Sequence, residues 1–222
     1  MYPNFYPICF TDIKLPTVKL NITETRKTLW GKTKAAFQYI HHHHKNDQAW
    51  YLKADDDTYV ILENLRYFLS NYNTNEAWYF GCNYRRFVQA GYMSGGAGYV
   101  ISQAALNRFV QEGLEGPSKV CKTDSKGSED LELGLCLEKL KVQAGDSRDY
   151  FGRLRFFPVK PAVLLQPGYF EKDYWLYDYL MYPFSTVRFS FILALKQIWN
   201  QSTTASLSET VKKLERMRPD CD

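Results

Sequence analysis

The chain has 222 residues, of which 45% are hydrophobic and 23% are charged, an ordinary composition for a globular protein with a sizeable core. Its formal net charge is only +4 and its basic residues are not clustered, which gives no argument for nucleic-acid binding. No stretch reaches the roughly 18 to 20 apolar residues of a membrane span, and the N-terminus lacks a signal-peptide pattern. From these features alone, the chain is expected to stay in the cytoplasm.

The N-terminal part predicts a strand at PICFTD, an extended piece at TVKLNI and a helix over residues 23–44. Apolar residues recur at helical spacing in this helix, and Thr25 can cap its start. The helix ends in four consecutive histidines, residues 41–44. Four consecutive side chains spread around a helix and cannot all face one ion, so a polar helix end is favoured over a metal site.

The most informative stretch is residues 50–64, WYLKADDDTYVILEN. Its aromatic and apolar run predicts a buried strand, after which three carboxylates follow, Asp55, Asp56 and Asp57. Ligands of open α/β sheets bind just beyond the carboxyl ends of strands, and adjacent carboxylates repel unless a cation lies between them. Two interpretations stay open: a divalent metal site for a nucleotide diphosphate, or a solvated turn capping a helix that begins near Val60 and runs to residue 69.

A glycine-rich stretch, GYMSGGAGYV, occupies residues 91–100 after a predicted strand at WYFGCNYRRF. Its glycines let the backbone approach a ligand closely, and Ser94 and Tyr99 offer hydroxyl groups. The stretch matches neither phosphate-loop pattern. However, the order of acidic strand end, helix, strand, glycine-rich strand and helix 102–112 predicts an α/β sandwich with both loops at one rim.

A second acidic stretch, Ser128 to Asp130, opens a predicted helix over residues 129–140. One interpretation is helix capping, because a Ser followed by acids suits a helix N-terminus. The other is that one carboxylate points into a cleft and acts as general base on a hydroxyl nucleophile.

The five cysteines contain no CxxC pair, so zinc binding is not indicated. A disulfide between Cys121 and Cys136 would staple the polar loop that precedes the second acidic stretch. Two sequons, at Asn21 and Asn200, would accept glycans if the chain entered the secretory pathway.

Five motifs follow one another at suitable spacing: LWGKTKA at 29–35, KADDDTYV at 53–60, GYMSGGAG at 91–98, EDL at 129–131 and AGDSR at 144–148. Together they resemble the core 1 β1,3-galactosyltransferases of the fringe-like glycosyltransferase superfamily, from about Leu15 to about Tyr182. The resemblance implies an α/β fold of the GT-A type, with a Rossmann-like central sheet flanked by helices, for residues 1–185. Residues 186–222 look divergent and are expected to be helical.

The implied reaction is an inverting, Mn²⁺-dependent transfer of galactose from UDP-galactose to the 3-hydroxyl of GalNAc on Ser or Thr of a glycoprotein. The family acts in the Golgi lumen, is anchored as a type II membrane protein and tends to dimerise. By resemblance, Asp55, Asp56 and Asp57 form the DxD site for the metal and the donor. Asp55 and Asp57 would be the metal ligands, with Asp57 the strongest candidate for direct Mn²⁺ contact.

Asp130 resembles the catalytic base of the family, and Glu129 lies beside it. The remaining implied roles are donor binding by Gly95 and Gly96, acceptor binding by Tyr92, Trp175 and Tyr177, and a disulfide between Cys121 and Cys136. Arg148 or Lys32 would add positive charge near the phosphates.

The sequence departs from the family at both ends. The chain starts at what resembles the second strand, so the first strand, which holds part of the nucleotide, is expected to be missing. Ile192, in Ser190-Phe191-Ile192, replaces a family histidine that contacts the metal, and isoleucine cannot ligate a hard ion. Three alternatives stay open: an inactive relative that binds or chaperones a galactosyltransferase, a truncated product, and a related transferase of other sugar specificity. The retained acidic triplet argues against the chaperone.

Overall fold

The computed structural model describes residues 18–23, 25–160 and 175–182, together with the backbone of residues 194–196. The helices are α1 (Leu29–His44), α2 (Leu62–Leu69), α3 (Gln103–Asn107), α4 (Glu129–Lys139) and α5 (Leu176–Tyr179). The strands are β1 (Trp50–Lys53), β2 (Thr58–Val60), β3 (Trp78–Gly81), β4 (Asn83–Tyr84), β5 (Tyr92–Met93), β6 (Tyr99–Ser102), β7 (Gln143–Ala144), β8 (Phe156–Phe157) and β9 (Ala194–Lys196). Two 3-10 turns, Arg26–Thr28 and Gly95–Ala97, precede α1 and β6, and a π-helix, Arg108–Leu114, continues α3.

The central sheet has four strands in the order β1-β6-β3-β7. Strand β6 runs antiparallel to both β1 and β3, whereas β3 and β7 are parallel. The first residue of β6, Tyr99, therefore pairs with the last residues of β1 and β3, Lys53 and Gly81. The loops that follow β1 and β3 and precede β6 meet at this one edge, as the sequence predicted.

Helices cover the central sheet on both faces, because alternate residues of each strand point to opposite sides. On one face, Trp50, Phe80 and Val100 pack in a core that includes Leu65 and Phe68 of α2. On the other face, the sheet residues of the core are Tyr51, Tyr79, Tyr99 and Ile101, and they pack in a core shared with α1, α3 and α4. The predicted α/β sandwich is therefore confirmed.

Two small sheets complete the described fold. Strands β2, β9 and β8 form one, and β4 and β5 form a hairpin. Strand β2 pairs with β9 antiparallel, from Thr58 with Lys196 to Val60 with Ala194. The helix predicted to begin near Val60 consequently begins two residues later, since Val60 belongs to a strand whose partner is distant in sequence.

The other predicted helices differ from the structure mainly at their ends. The helix expected from residue 23 begins as a 3-10 turn at Arg26 and becomes α1 at Leu29. Ser102 caps α3 by accepting a hydrogen bond from the main-chain N–H of Ala105, and the helix then widens to π geometry up to Leu114. His41 is buried, whereas His42 and His43 are exposed and His44 is half-buried.

Several predictions fall on residues outside the described ranges: the strand PICFTD, most of the helix expected in residues 186–222, and Ile192. In the C-terminal segment the described backbone of Ala194–Lys196 is a strand. Residues 18–22 form no strand. Within the described ranges, no helix is both long and apolar enough to cross a membrane.

Candidate active site

The acidic triplet lies in a tight turn between β1 and β2. The main-chain N–H of Thr58 donates to the carbonyl of Asp55 across 3.0 Å and closes this turn. Asp56 is exposed, whereas Asp55 and Asp57 are half-buried. Strand β1 ends at this turn because the three carboxylates cannot continue the apolar pattern that the sheet buries. The first and third carboxylates thus differ from the middle one in their surroundings.

Lys53, the last residue of β1, connects the acidic triplet to the second acidic stretch. Its Nζ lies 2.5 Å from Oδ1 of Asp55 and 3.8 Å from Oε2 of Glu129. The same ammonium donates to the carbonyl of Gly95 across 3.4 Å. Burial lowers the pKa of Lys53, but the nearby carboxylates of Glu129 and Asp55 outweigh burial and raise it above its usual value.

Glu129, the first residue of α4, is a buried carboxylate with two neutralising contacts. Only 8% of it is exposed, and its Oε1 accepts a hydrogen bond of 2.5 Å from the hydroxyl of Tyr99. Its other oxygen faces Lys53. Burial raises the pKa of Glu129 above its usual range, against the opposing effects of Lys53 and Tyr99. These contacts hold Glu129 within the protein rather than towards solvent.

Asp130 is half-buried and is anchored to the glycine-rich turn. Its Oδ2 accepts a hydrogen bond of 3.1 Å from the main-chain N–H of Gly95. Its Oδ1 accepts from the main-chain N–H of Leu131 at 2.9 Å and lies 3.2 Å from the hydroxyl of Ser128. The side chain of Ser128 makes no capping bond to α4, because its hydroxyl contacts Asp130 instead. Ser128 does occupy the N-cap position and acids fill the first turn, as the capping interpretation predicted, but the hydrogen bond from its hydroxyl to the helix backbone is absent.

The glycine-rich turn approaches both acidic stretches at close range. A Cβ added to Gly95 would lie 2.8 Å from Oε2 of Glu129 and 3.6 Å from Nζ of Lys53. Gly98 has φ +73 and would place a Cβ 3.1 Å from the carbonyl of Lys53. The predicted close backbone approach is present, but the groups approached in the structure belong to the protein itself. Gly96 lies between them, half-buried.

Tyr92, predicted to contact the acceptor, lies on β5 next to α4. A Cβ added to Gly134 of α4 would lie 2.3 Å from the Cβ of Tyr92, so only glycine permits this contact. Burial, and then the charge of Asp130, raise the pKa of Tyr92 to about 12. Tyr92 therefore keeps its proton at neutral pH and can both donate and accept hydrogen bonds.

A row of aromatic rings joins Tyr92 to α5. Tyr84 makes edge contacts with both Tyr92 and Tyr179, each with a centroid distance of 5.6 Å. Trp175, which is 48% exposed, packs edge-on against Tyr179 at 5.7 Å. The predicted acceptor residues Tyr92 and Trp175 are thus connected through two tyrosines, while Tyr177 lies in α5, half-buried.

Main-chain bonds fix α5 against the β4-β5 hairpin. The N–H of Arg85 donates to the carbonyl of Tyr179 across 2.7 Å, and the N–H of Met181 donates to the carbonyl of Asn83 across 2.9 Å. The guanidinium of Arg86 lies over the ring of Tyr179 at 4.7 Å. This arrangement fixes Tyr179, against which the exposed ring of Trp175 packs.

The motif at residues 144–148 reaches the same sheet edge through β7. The hydroxyl of Ser147 donates to the carbonyl of Gly81 across 2.7 Å. Arg148 forms a two-pronged ion pair with Asp146, with its closest contact at 2.7 Å, and its guanidinium lies 3.6 Å from the ring centre of Tyr182. Its predicted role near phosphate stays a prediction, as does that of Lys32, which is half-buried on α1.

The loop that leads into Glu129 is held in two ways. A disulfide links Cys121 to Cys136 on α4, which confirms the expected pairing. The ammonium of Lys34 on α1 donates to three successive carbonyls, those of Lys122, Thr123 and Asp124, at 2.7 to 3.0 Å. The start of α4, and with it the second acidic stretch, is thereby fixed against α1.

Asp55 and Asp57 provide hard oxygen ligands of the kind that Mn²⁺ and Mg²⁺ prefer. Within the described ranges, however, no three or more His, Cys, Asp or Glu side chains are grouped to hold a metal ion. One or two carboxylates are sufficient when substrate phosphates and water supply the other ligands, which is the usual mode for Mg²⁺. The donor set therefore fits a metal that binds together with a nucleotide diphosphate.

A cavity of about 630 Å³ lies between the π-helix and the end of α4, and no predicted site residue lines it. Sequence reasoning missed Lys53, Tyr84, Tyr179 and Ser147. For Lys53 a signal existed, because a lysine that ends a buried strand directly before three carboxylates has anionic neighbours.

Comparisons with known proteins agree with this architecture. A family model described as Fringe-like matches residues 11–156. The chain is 44% identical over 174 residues to glycoprotein-N-acetylgalactosamine 3-beta-galactosyltransferase 1 of Xenopus laevis, covering 78% of this chain and 47% of that protein. It is 30% identical over 137 residues to the beta-1,3-glucosyltransferase of Mus musculus, covering 60% of this chain and 27% of that protein. The chain thus spans at most about half the length of these relatives, and it belongs to the Fringe-like family of GT-A glycosyltransferases.

Proposed function

We propose that this chain carries the catalytic residues of an inverting β1,3-galactosyltransferase. The observation that carries the proposal is the meeting of the acidic triplet and the Glu129–Asp130 pair at one sheet edge, joined through Lys53 and Gly95. The relative from Xenopus laevis, named as a galactosyltransferase that acts on N-acetylgalactosamine of glycoproteins, supports the donor sugar and the acceptor class. The proposed donor is UDP-galactose and the acceptor is GalNAc on Ser or Thr.

In this mechanism, Asp130 takes the proton of the acceptor's 3-hydroxyl as that oxygen attacks the anomeric carbon of galactose and UDP departs. The hydrogen bond from Gly95 and the partial exposure of Asp130 orient one carboxylate oxygen while leaving the side chain accessible. Glu129, buried against Tyr99 and Lys53, positions the start of α4 rather than exchanging the proton. Trp175 offers exposed aromatic surface to the acceptor sugar, whereas Tyr92, which is only 5% exposed, supports that surface through Tyr84 and Tyr179.

Asp55 and Asp57 would hold Mn²⁺ together with the diphosphate, and the ion would supply neutralisation of the leaving group's charge. Asp57 is the proposed direct ligand. Asp56, which is exposed, and Gly95, Gly96 and Lys32 are proposed to face the donor. The proposed compartment is the Golgi lumen, whose oxidising conditions suit the disulfide, and the exposed Asn21 is placed to accept a glycan there. A homodimer stays a prediction.

The test is transfer of labelled galactose from UDP-galactose to a GalNAc-Thr peptide in the presence of Mn²⁺. Transfer that is abolished by EDTA and by Asp57→Asn is the expected result. UDP-glucose and UDP-GalNAc serve as matched alternative donors, because a related transferase of other specificity would prefer one of them. If the folded chain transfers none of these sugars, the proposed function is wrong and a binding or chaperone role becomes the better explanation.

A further inference from the structure

Lys53 contacts both acidic stretches, through Asp55 of the first and Glu129 of the second. Its side chain is 24% exposed, so the ammonium is largely removed from water. It also donates to the carbonyl of Gly95, whose own N–H donates to Asp130. One lysine therefore contacts a proposed metal ligand and also the residue that orients the proposed base.

We propose that Lys53 is a positioning residue that competes with the divalent cation for Asp55 and that fixes the geometry of Glu129, Gly95 and Asp130. This inference rests on the proposed function for the identity of the reaction, but its physical basis is the set of contacts above. Removal of the Lys53 ammonium should therefore have two opposite effects, stronger metal binding and slower catalysis.

The first consequence concerns metal affinity. The ammonium contacts Oδ1 of Asp55 directly, and a divalent cation bound to Asp55 meets both competition for that oxygen and repulsion from the ammonium. Removing the charge of Lys53 should therefore strengthen Mn²⁺ binding. A lysine that merely supported the fold would have the reverse effect, because a loosened site binds metal less well.

The second consequence concerns the proposed base. Without the ammonium, Glu129 is buried with only the Tyr99 hydroxyl facing its charge, and the carbonyl of Gly95 loses its donor. Small displacements of a catalytic group lower turnover strongly. Substitution of Lys53 should lower kcat, while KM for the acceptor stays nearly unchanged, because Lys53 contacts the proposed metal ligand and the residues around the proposed base.

The experiment compares the wild type with Lys53→Met and Lys53→Arg, and it uses Lys122→Met as a matched control. Lys122 also pairs with a carboxylate, Glu132 at 2.8 Å, but it is outside the site. Mn²⁺ binding is measured by calorimetry in the presence of saturating UDP, because its diphosphate supplies ligands that the two aspartates do not. Transfer kinetics and thermal unfolding are measured on the same preparations.

Lys53→Met is expected to bind Mn²⁺ about three- to tenfold more tightly than the wild type. The reason is that the substitution removes one nearby positive charge, whose repulsion of the ion is moderated by the high effective dielectric of a protein surface. Its kcat should fall about tenfold or more. Lys53→Arg should stay close to the wild type in Mn²⁺ affinity, and Lys122→Met should match the wild type in all three measurements.

Thermal unfolding gives a further readout that needs no activity. Lys53→Met should unfold roughly 5 to 10 °C lower than the wild type, because it leaves a buried carboxylate without its cation. The double variant Lys53→Met/Glu129→Gln should recover more than half of this loss. Absence of recovery would overturn the proposed contact with Glu129.

If Lys53→Met binds Mn²⁺ no more tightly than the wild type does, the proposed competition between Lys53 and the metal for Asp55 is wrong. If the wild type transfers no sugar, the proposed function is wrong, while Mn²⁺ binding and the double variant still decide the role of Lys53. The two proposals can thus fail separately.

Discussion

The main-chain N–H of Gly95 donates to Oδ2 of Asp130 across 3.1 Å, and it joins the turn before β6 to the first turn of α4. The two residues are 35 positions apart in sequence. The same glycine also accepts a hydrogen bond from Lys53, so two residues, Lys53 and Gly95, connect Asp55 of the acidic triplet to the proposed base.

Asp130→Asn should abolish most of the transfer without unfolding the chain. The amide still accepts from Gly95 but cannot take a proton, so kcat should fall about 10²- to 10⁴-fold. The measurement is transfer to the GalNAc-Thr peptide, with circular dichroism as the check of folding. Glu112→Gln, which alters an exposed carboxylate on the π-helix, is the matched control. Retention of half the wild-type rate by Asp130→Asn would assign the base elsewhere.

Stability should depend on pH through Glu129. Burial raises the pKa of this carboxyl above 4.5, so the folded protein binds the proton more tightly than the unfolded chain does. Its contribution to stability is therefore complete below about pH 4.5 and is lost as pH rises through the raised pKa of the folded state, with a slope of at most about 1.4 kcal/mol per pH unit.

The measurement is urea unfolding of the wild type and Glu129→Gln between pH 4 and pH 8. The glutamine variant has no group that titrates at this position. As pH increases, the wild type should therefore lose unfolding free energy relative to Glu129→Gln. A difference that stays constant across this range would mean that Glu129 does not titrate with a raised pKa.

Gly95→Ala should damage activity more than stability. The added Cβ would lie 2.8 Å from Oε2 of Glu129, the end of a side chain that can shift, and that shift would disturb the bond to Asp130. Gly134→Ala should do the reverse, since its Cβ would lie 2.3 Å from the Cβ of Tyr92, whose strand would have to move. We expect Gly134→Ala to lose about 1 to 3 kcal/mol, as overpacking usually costs.

Comparison of thermal unfolding and transfer rates for these two variants checks this contrast. Equal loss of stability in both would contradict the distinction between a movable side chain and a packed strand.

The disulfide should stabilise the start of α4. Cys121 and Cys136 are 15 residues apart, and closing a loop of this size contributes about 3 kcal/mol. The double variant Cys121→Ala/Cys136→Ala should unfold at a lower denaturant concentration than the oxidised wild type. Treatment with dithiothreitol should lower the stability of the wild type and leave the double variant unchanged. An equal response of both proteins to the reductant would point to another target.

The alternation of strands and helices was sufficient to place the acidic triplet and the glycine-rich turn at one rim. The position of Asp130 near them was expected only from the resemblance to a known family. The disulfide was also predictable, because Cys121 and Cys136 bracket a loop ahead of that helix.

Other features depend on contacts that no local pattern encodes. Val60 is in a strand because β9 pairs with it from more than 130 positions away. Tyr84 and Tyr179 form the aromatic connection only because α5 bonds to the β4-β5 hairpin. His41 is buried although the next two histidines are exposed, since its face of α1 is turned towards the core.

The ammonium of Lys34 holds three backbone carbonyls of the loop before α4, and these partners are dipoles rather than charges. Added salt weakens attraction between exposed charges over about 10 Å at 0.1 M, but it competes poorly with short hydrogen bonds to fixed dipoles. High ionic strength should therefore loosen the neighbouring pair of Lys122 and Glu132 while the loop keeps its place. The position of the loop that leads into Glu129 should therefore depend little on the salt concentration.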